Sequence, residues 1–144
     1  MTAQDEAQIR ELMTEWEAGM RTKDAKRLVA RFTPEIVQFT LAPPLKQADA
    51  DDPAELERWF AGFEDTLDYE VTELSITAGE DVAFCHSLNK LSATPKGSPQ
   101  GFELWVRSTV GLRKADGEWR ITHEHTSTPF YMDGSFRAAV DLKP

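Results

Sequence analysis

The chain has a single cysteine, Cys85. No internal disulfide can form, and nothing in the sequence requires an oxidising compartment. Set in the apolar run AFCHSL, this residue reads as a small buried hydrophobe rather than a reactive thiol. No apolar run approaches the ~20 residues of a membrane-spanning helix, and the N-terminus is acidic without an apolar leader core. A cytoplasmic protein without membrane contact is therefore expected. Positive charge is scarce as well: 25 acids outnumber 16 bases, for a formal net charge of −9. Binding polyphosphate needs a concentrated basic patch, so no nucleic-acid partner is expected. The basic run Lys23, Lys26, Arg27 and Arg31 reads as a solvated helix face. There is no phosphate-cradling glycine loop, since Gly97-Ser98-Pro99 reads as a hairpin, and no serine nucleophile elbow. Repeats, low-complexity segments and internal linkers are absent, which leaves one domain over residues 1–144 with no cofactor expected.

What is present divides by period. Thr2 with Asp5 forms a weak capping box before a helix of about 17 residues, in which Ile9, Leu12, Met13, Trp16 and Met20 make one apolar face. Asp24 caps a short second helix with Leu28, Val29 and Phe32 inward, and Pro34 ends it. Gly19 and Gly62 weaken their helices and permit close approach of another element. A short strand, Glu35 to Leu41, stops at Pro43-Pro44, which cannot donate to a ladder. Asp52-Pro53-Ala54-Glu55 is a strong helix start, followed by an apolar face of Leu56, Trp59, Phe60 and Phe63.

From Leu67 the period falls to two. Leu67, Tyr69 and Val71 share one parity and Leu74 and Ile76 the other, which predicts a β-bulge near Thr72-Glu73. Val82 to Thr94 is a strand, Pro95 to Gly101 a hairpin loop, and Phe102 to Lys114 a long strand apolar on both faces. Asp116-Gly117 is a hairpin signal. The stretch that follows, GEWRITHEHTSTPF, places Trp119, Ile121, His123, His125 and Ser127 on one face by simple alternation, and Arg120, Thr122, Glu124 and Thr126 on the other. Three helices and a long antiparallel meander make an α+β domain, with the bulged sheet curling around the helices to leave an open cone.

This order, with the wording AFCHSLNKL, FELWVRSTVGLRKADGEWRITHEHTSTPF and FTLAPPL, resembles the SnoaL-like, ketosteroid-isomerase-related branch of the nuclear transport factor 2-like (NTF2-like) superfamily. The resemblance implies a cone-shaped, cystatin-like α+β fold. A curved antiparallel sheet of four to six strands would wrap three N-terminal helices around a conical pocket, with a homodimer through the convex sheet face. It covers isomerases, polyketide cyclases, dehydratases and hydrolases, and also binding and assembly modules, so the fold does not choose among them. The ketosteroid-isomerase route needs a carboxylate base and a tyrosine with a protonated acid to hold the enolate oxygen. Here Trp16 stands in place of the tyrosine on the first helix. Gln38 and Thr40 stand where an aspartate would act as base, and Trp105 and Arg107 where the second acid would lie.

If the last three strands are neighbours in order, His86, Arg107, His123 and His125 converge as the candidate catalytic set. Histidine suits proton transfer near neutral pH, and arginine can hold a carboxylate or enolate. Trp16, Met20, Phe39, Thr40 and Trp59 are expected to line the pocket, together with Phe63, Trp105, Thr109 and Ser127. The ligand would be a small apolar molecule with a carbonyl or a ring. The bland alternative is a buried structural network in which Arg107 pairs with Glu124, Glu103 or Asp68. Histidines two apart on a strand are a weak metal signal, and no metal site is expected. Glu124, opposite the histidines, is assigned to an interface or ion pair. The competing function is a non-catalytic ligand-binding or dimerisation module.

Overall fold

The computed structural model describes residues 2–144. Helix α1 spans Ala3–Arg21, α2 Ala25–Val29 and α3 Pro53–Ala61. The strands are β1 Phe32–Phe39, β2 Phe63–Ala78, β3 Val82–Pro95, β4 Phe102–Ala115 and β5 Glu118–Ser127. Among the described residues no helix is long and apolar enough to cross a membrane.

Each helix starts where its capping residue can satisfy free backbone N–H groups. The Thr2 side chain accepts from the Asp5 amide, Asp24 from Arg27 and Asp52 from Ala54, with Pro53 in the first turn of α3. Ile9, Leu12, Met13, Trp16 and Met20 form the buried face of α1, as their spacing predicts. Gly19 allows α2 to close on α1: a Cβ there would sit 2.5 Å from Leu28 Cδ2. Gly62 has no such role, since it lies beyond α3 as its C-cap. Pro34 does not end α2 directly; α2 stops at Val29, and Pro34 falls inside β1 at the sheet edge, where its missing N–H costs no ladder bond.

The five strands form one sheet in the order β1-β5-β4-β3-β2. Strands β2 to β5 are the expected antiparallel meander, whereas β1 pairs with β5 in parallel. The sheet is mixed for that reason, a feature that no residue pattern inside β1 records. Asp116 and Gly117 both take positive φ in the tight β4–β5 turn.

Among the register shifts of the sheet, two decide which side chains face the helices. In β2, the residues between Thr72 and Ser75 oppose Ser87 alone, and Glu73 takes a φ of 52°, at the expected position. In β5, Ile121 pairs with Leu112 while His123 pairs with Gly111, so Thr122 is an extra residue with no partner on β4. This second bulge exchanges the two faces of β5 between Ile121 and His123.

The concave face packs on the helices. Trp119 and Ile121 are both 2% exposed and Leu112 is fully buried, so the start of β5 is core as expected. Burying each such side chain contributes about 1.5–3 kcal/mol. Asp5 ties α1 to this end of the sheet. Its carboxylate accepts from the Thr2 hydroxyl at 2.7 Å, Lys114 Nζ at 3.0 Å and Trp119 Nε1 at 3.1 Å. The Thr2, Lys114 and Trp119 hydrogen bonds, in that order, hold the Asp5 carboxyl far below the usual carboxylate range.

Candidate functional site

Alternation fixes which side chains enter the cone. On β3 the odd residues Cys85, Ser87, Asn89 and Leu91 are buried toward the helices. Their partners on β4 are the even residues Val110, Ser108, Val106 and Leu104. On β5, past the Thr122 bulge, the concave side chains are Glu124, paired with Val110, and Thr126, paired with Ser108. On β1 Gln38 pairs with Glu124. The polar groups reaching the cone from the β1–β5 half of the sheet are thus Gln38, Thr40, Glu124 and Thr126.

These residues open onto a cavity of about 340 Å³, within the range of small-molecule sites. Its walls are aromatic and aliphatic: Trp16 and Met20 from α1, Phe32 from β1, Leu56 and Trp59 from α3, and Tyr69 from β2. The segment from Leu41 to Ala50 covers one side. It is tied back to β1 by the Gln47 amide donating to the Gln38 carbonyl at 3.1 Å and by Gln47 Nε2 donating to Thr40 Oγ1 at 2.9 Å.

Glu124 is the ionisable group of this polar half. Gln38 Nε2 donates to its Oε2 at 2.7 Å, and Thr126 Oγ1 reaches Oε1 at 3.4 Å. Burial raises its pKa above the ordinary carboxylate value; the Gln38 and Thr126 hydrogen bonds and the nearby His123 oppose that shift without cancelling it. Tyr69 lies on the opposite wall. Burial, and secondarily the charge of Glu124, pushes its phenol pKa up, so it keeps its proton.

The expected catalytic set stands elsewhere. His86, Arg107, His123 and His125, with Trp105, Thr109 and Ser127, occupy the convex parity and line no part of the cavity. The physical reason is the extra residue at Thr122, which turns His123, His125 and Ser127 outward and Glu124 and Thr126 inward. Glu124 is therefore a cavity residue, not an interface carboxylate. His123 donates from Nδ1 to the Val37 carbonyl at 2.7 Å. Phe39 packs edge-on against His123 and His125, with ring centroids 5.0 and 5.3 Å apart, and is likewise outside the cavity. Phe63 packs on Trp59 and Phe102 rather than lining the space. Of the expected lining residues, Trp16, Met20, Thr40 and Trp59 are in place. The alternative buried network fails too. Arg107 is exposed and bonds Ser127 Oγ at 3.1 Å, while Asp68 pairs with Arg21, Glu103 with Lys143 and Glu124 with Gln38.

Residues 9–131 match the model of the SnoaL-like domain family. No curated protein is significantly similar to the chain. Among solved structures, an NTF2-like protein of unknown function from Pseudomonas putida is 30% identical, with a TM-score of 0.87 over 100% of this chain and 99% of that one. A scytalone dehydratase candidate from Novosphingobium aromaticivorans is 16% identical, with a TM-score of 0.77 over 93% of this chain and 90% of that one. A dehydratase candidate of the NTF2-like family from Streptomyces avermitilis is 15% identical, with a TM-score of 0.76 over 88% of this chain and 97% of that one. At such identities the last two likenesses concern the fold alone.

Proposed function

The chain belongs to the SnoaL-like family and has the NTF2-like cone fold, and from that premise we propose a small-molecule enzyme that moves protons with Glu124. The supporting observation is one carboxyl on the sheet wall of a largely apolar cavity, with its pKa raised by burial. A carboxylate whose basicity is raised by burial can remove a proton from carbon and return it elsewhere. Gln38 holds one of its oxygens at 2.7 Å and leaves the other more weakly bound, by Thr126 at 3.4 Å. The substrate class is an apolar ring compound with a carbonyl, and the reaction class is isomerisation, cyclisation or loss of water through abstraction of a proton next to that carbonyl. The two dehydratase candidates of like fold agree with this class.

The test is deuterium incorporation into a panel of cyclic ketones and β-hydroxy ketones in D₂O, followed by NMR. The protein should accelerate exchange or dehydration of at least one member, and Glu124→Gln should remove 10²-fold or more of that rate. An unchanged rate in Glu124→Gln contradicts the role. No acceleration with any member, despite binding, favours the second reading: a ligand-binding module in which Gln38 and Thr126 hold Glu124 as a structural acid.

The proposal also includes a second copy of the chain against the convex sheet face. That face carries Phe84, 49% exposed, with half-buried Leu88, Trp105 and Phe39. The outward histidines and Arg107 would then lie at the seam between copies.

A further inference from the structure

Hydrogen-bond bookkeeping at the floor of the cone singles out Tyr69. Ser87 and Asn89 are neighbours of like parity on β3, 6% and 1% exposed, among apolar side chains where most of this sheet face is aliphatic. Polar groups buried this far cost stability unless each is paired. They pair with each other and with one further group: Ser87 Oγ donates to Asn89 Oδ1 at 2.8 Å, and Asn89 Nδ2 donates to Tyr69 Oη at 2.8 Å. The Trp16 indole N–H, which can only donate, also lies near that phenol oxygen and favours its anion.

The direction of this chain matters more than its existence. Tyr69 Oη is an acceptor in it, so its own O–H is not used within it. Among the described residues Tyr69 donates to no acceptor. Of Ser87, Asn89 and Tyr69, Tyr69 is the one that lines the cavity. We infer that the buried Ser87–Asn89 pair is a positioning device that aims the Tyr69 hydroxyl proton into the cavity, where it binds an acceptor oxygen of the ligand. This rests on the ligand-pocket reading above and adds to it the group that recognises the carbonyl.

The ligand oxygen is that of an uncharged group. The acidic side chains lining the cavity are Asp49, Asp52, Glu55 and Glu124, and among the described residues no lysine, arginine or histidine lines it. A carboxylate or phosphate would meet only like charge there, without a cation to offset its desolvation. A ketone or ester oxygen asks for one neutral donor, which Tyr69 supplies. With Glu124 across the cavity, a ring carbonyl held by Tyr69 would present its neighbouring carbon toward the carboxyl.

The experiment uses two probes of matched shape, 2-acetonaphthone and 2-isopropenylnaphthalene, with 2-naphthoate as the anionic control. Affinities are read from quenching of tryptophan fluorescence, and the carbonyl stretch of bound ¹³C-labelled ketone from infrared difference spectra. The native protein should bind ketone and hydrocarbon, bind naphthoate at least tenfold more weakly than ketone, and lower the carbonyl stretch below its value in an apolar solvent. Tyr69→Phe should weaken the ketone about five- to tenfold, the worth of one neutral hydrogen bond, leave the hydrocarbon within about twofold, and abolish the lowered stretch. Asn89→Leu, with Ser87→Ala added so that no partner is orphaned, should reduce the ketone-to-hydrocarbon ratio while hydrocarbon binding shows that the cavity persists. A ratio and stretch unchanged by Tyr69→Phe would overturn the inference. In that case the Asn89 amide is turned the other way and takes the tyrosine proton itself. Failure of both neutral probes to bind would contradict the pocket reading beneath it.

Discussion

The two faces of the sheet carry opposite chemistry. The convex face holds all three histidines and Arg107 in half-exposed or exposed positions, a set of residue types suited to catalysis. The concave face holds one glutamate, one tyrosine and a few amides and hydroxyls among aromatic rings. Residue type alone favours the first face; environment favours the second. Burial disfavours the charge of a carboxyl and raises its proton affinity, which is what marks Glu124 on the concave face.

The contrast can be broken at its strongest point by cutting the concave anchor. Trp119→Ala removes a side chain that is 2% exposed and donates to Asp5. It should cost about 3–5 kcal/mol in urea unfolding. His125→Ala, five ladder positions away on the exposed face, should stay within about 0.5 kcal/mol. Similar costs at the two positions would mean that the faces are not as distinct as their burial.

Next in size is the convex face as an interface. Light scattering coupled to size exclusion should find a dimer at micromolar concentration. Trp105→Glu should weaken it about 30-fold or more, the scale of a buried aromatic anchor, while leaving the affinity for 2-acetonaphthone unchanged. A monomeric native protein contradicts the second-copy proposal. Loss of ketone binding in Trp105→Glu would mean that the two faces are coupled.

Smaller effects come from pH, through two carboxyls with opposite shifts. Glu124 binds its proton more tightly in the folded protein than unfolded, because burial disfavours its charge. Its contribution to stability is present below the ordinary glutamate value of about 4.3 and is lost as pH rises through its raised native pKa. Glu124→Gln should therefore gain stability over the native protein as pH rises from about 4 to 8. Asp5 is the reverse: hydrogen bonds from Thr2, Lys114 and Trp119 lower its pKa. Its contribution is full above the ordinary aspartate value of about 3.9 and fades as pH falls through its depressed native value. Asp5→Asn should lose stability at neutral pH and approach the native protein as the pH falls below about 4. Urea midpoints at a series of pH values check both slopes, and parallel curves for the two variants would refute the assignment.

The two bulges show how much of this was legible in the sequence. The bulge at Glu73 interrupts a strand whose core-facing residues are apolar, so Leu67, Tyr69 and Val71 against Leu74 and Ile76 leave a visible change of parity. The bulge at Thr122 comes where the apolar residues of β5 have just ended. Beyond Ile121 both faces are polar, His123 and His125 on one and Glu124 and Thr126 on the other, and hydrophobicity cannot say which face is inside. The cone, its helix caps and its hairpin turn were legible because burial and capping write themselves into residue type. The facing of Glu124 and Thr126 was not, because they sit past that point. One signal was present: Gly111 interrupts β4 opposite His123, and a Cβ there would meet His123 Cβ at 3.3 Å, the close approach that an isolated strand glycine often marks. The parallel partner of β1 depends on the path of the chain between Phe39 and Pro53 and leaves no mark in β1 itself.

The most direct measurement is an NMR titration of the labelled protein with 2-acetonaphthone, following the Glu124 carboxyl carbon, the Tyr69 ring and the imidazoles of His86 and His125 in one sample. The expected result is saturable movement of the Glu124 and Tyr69 signals while the two histidine rings stay still. Movement of the His86 and His125 rings with Glu124 unaffected would contradict the assignment of the site to the concave face.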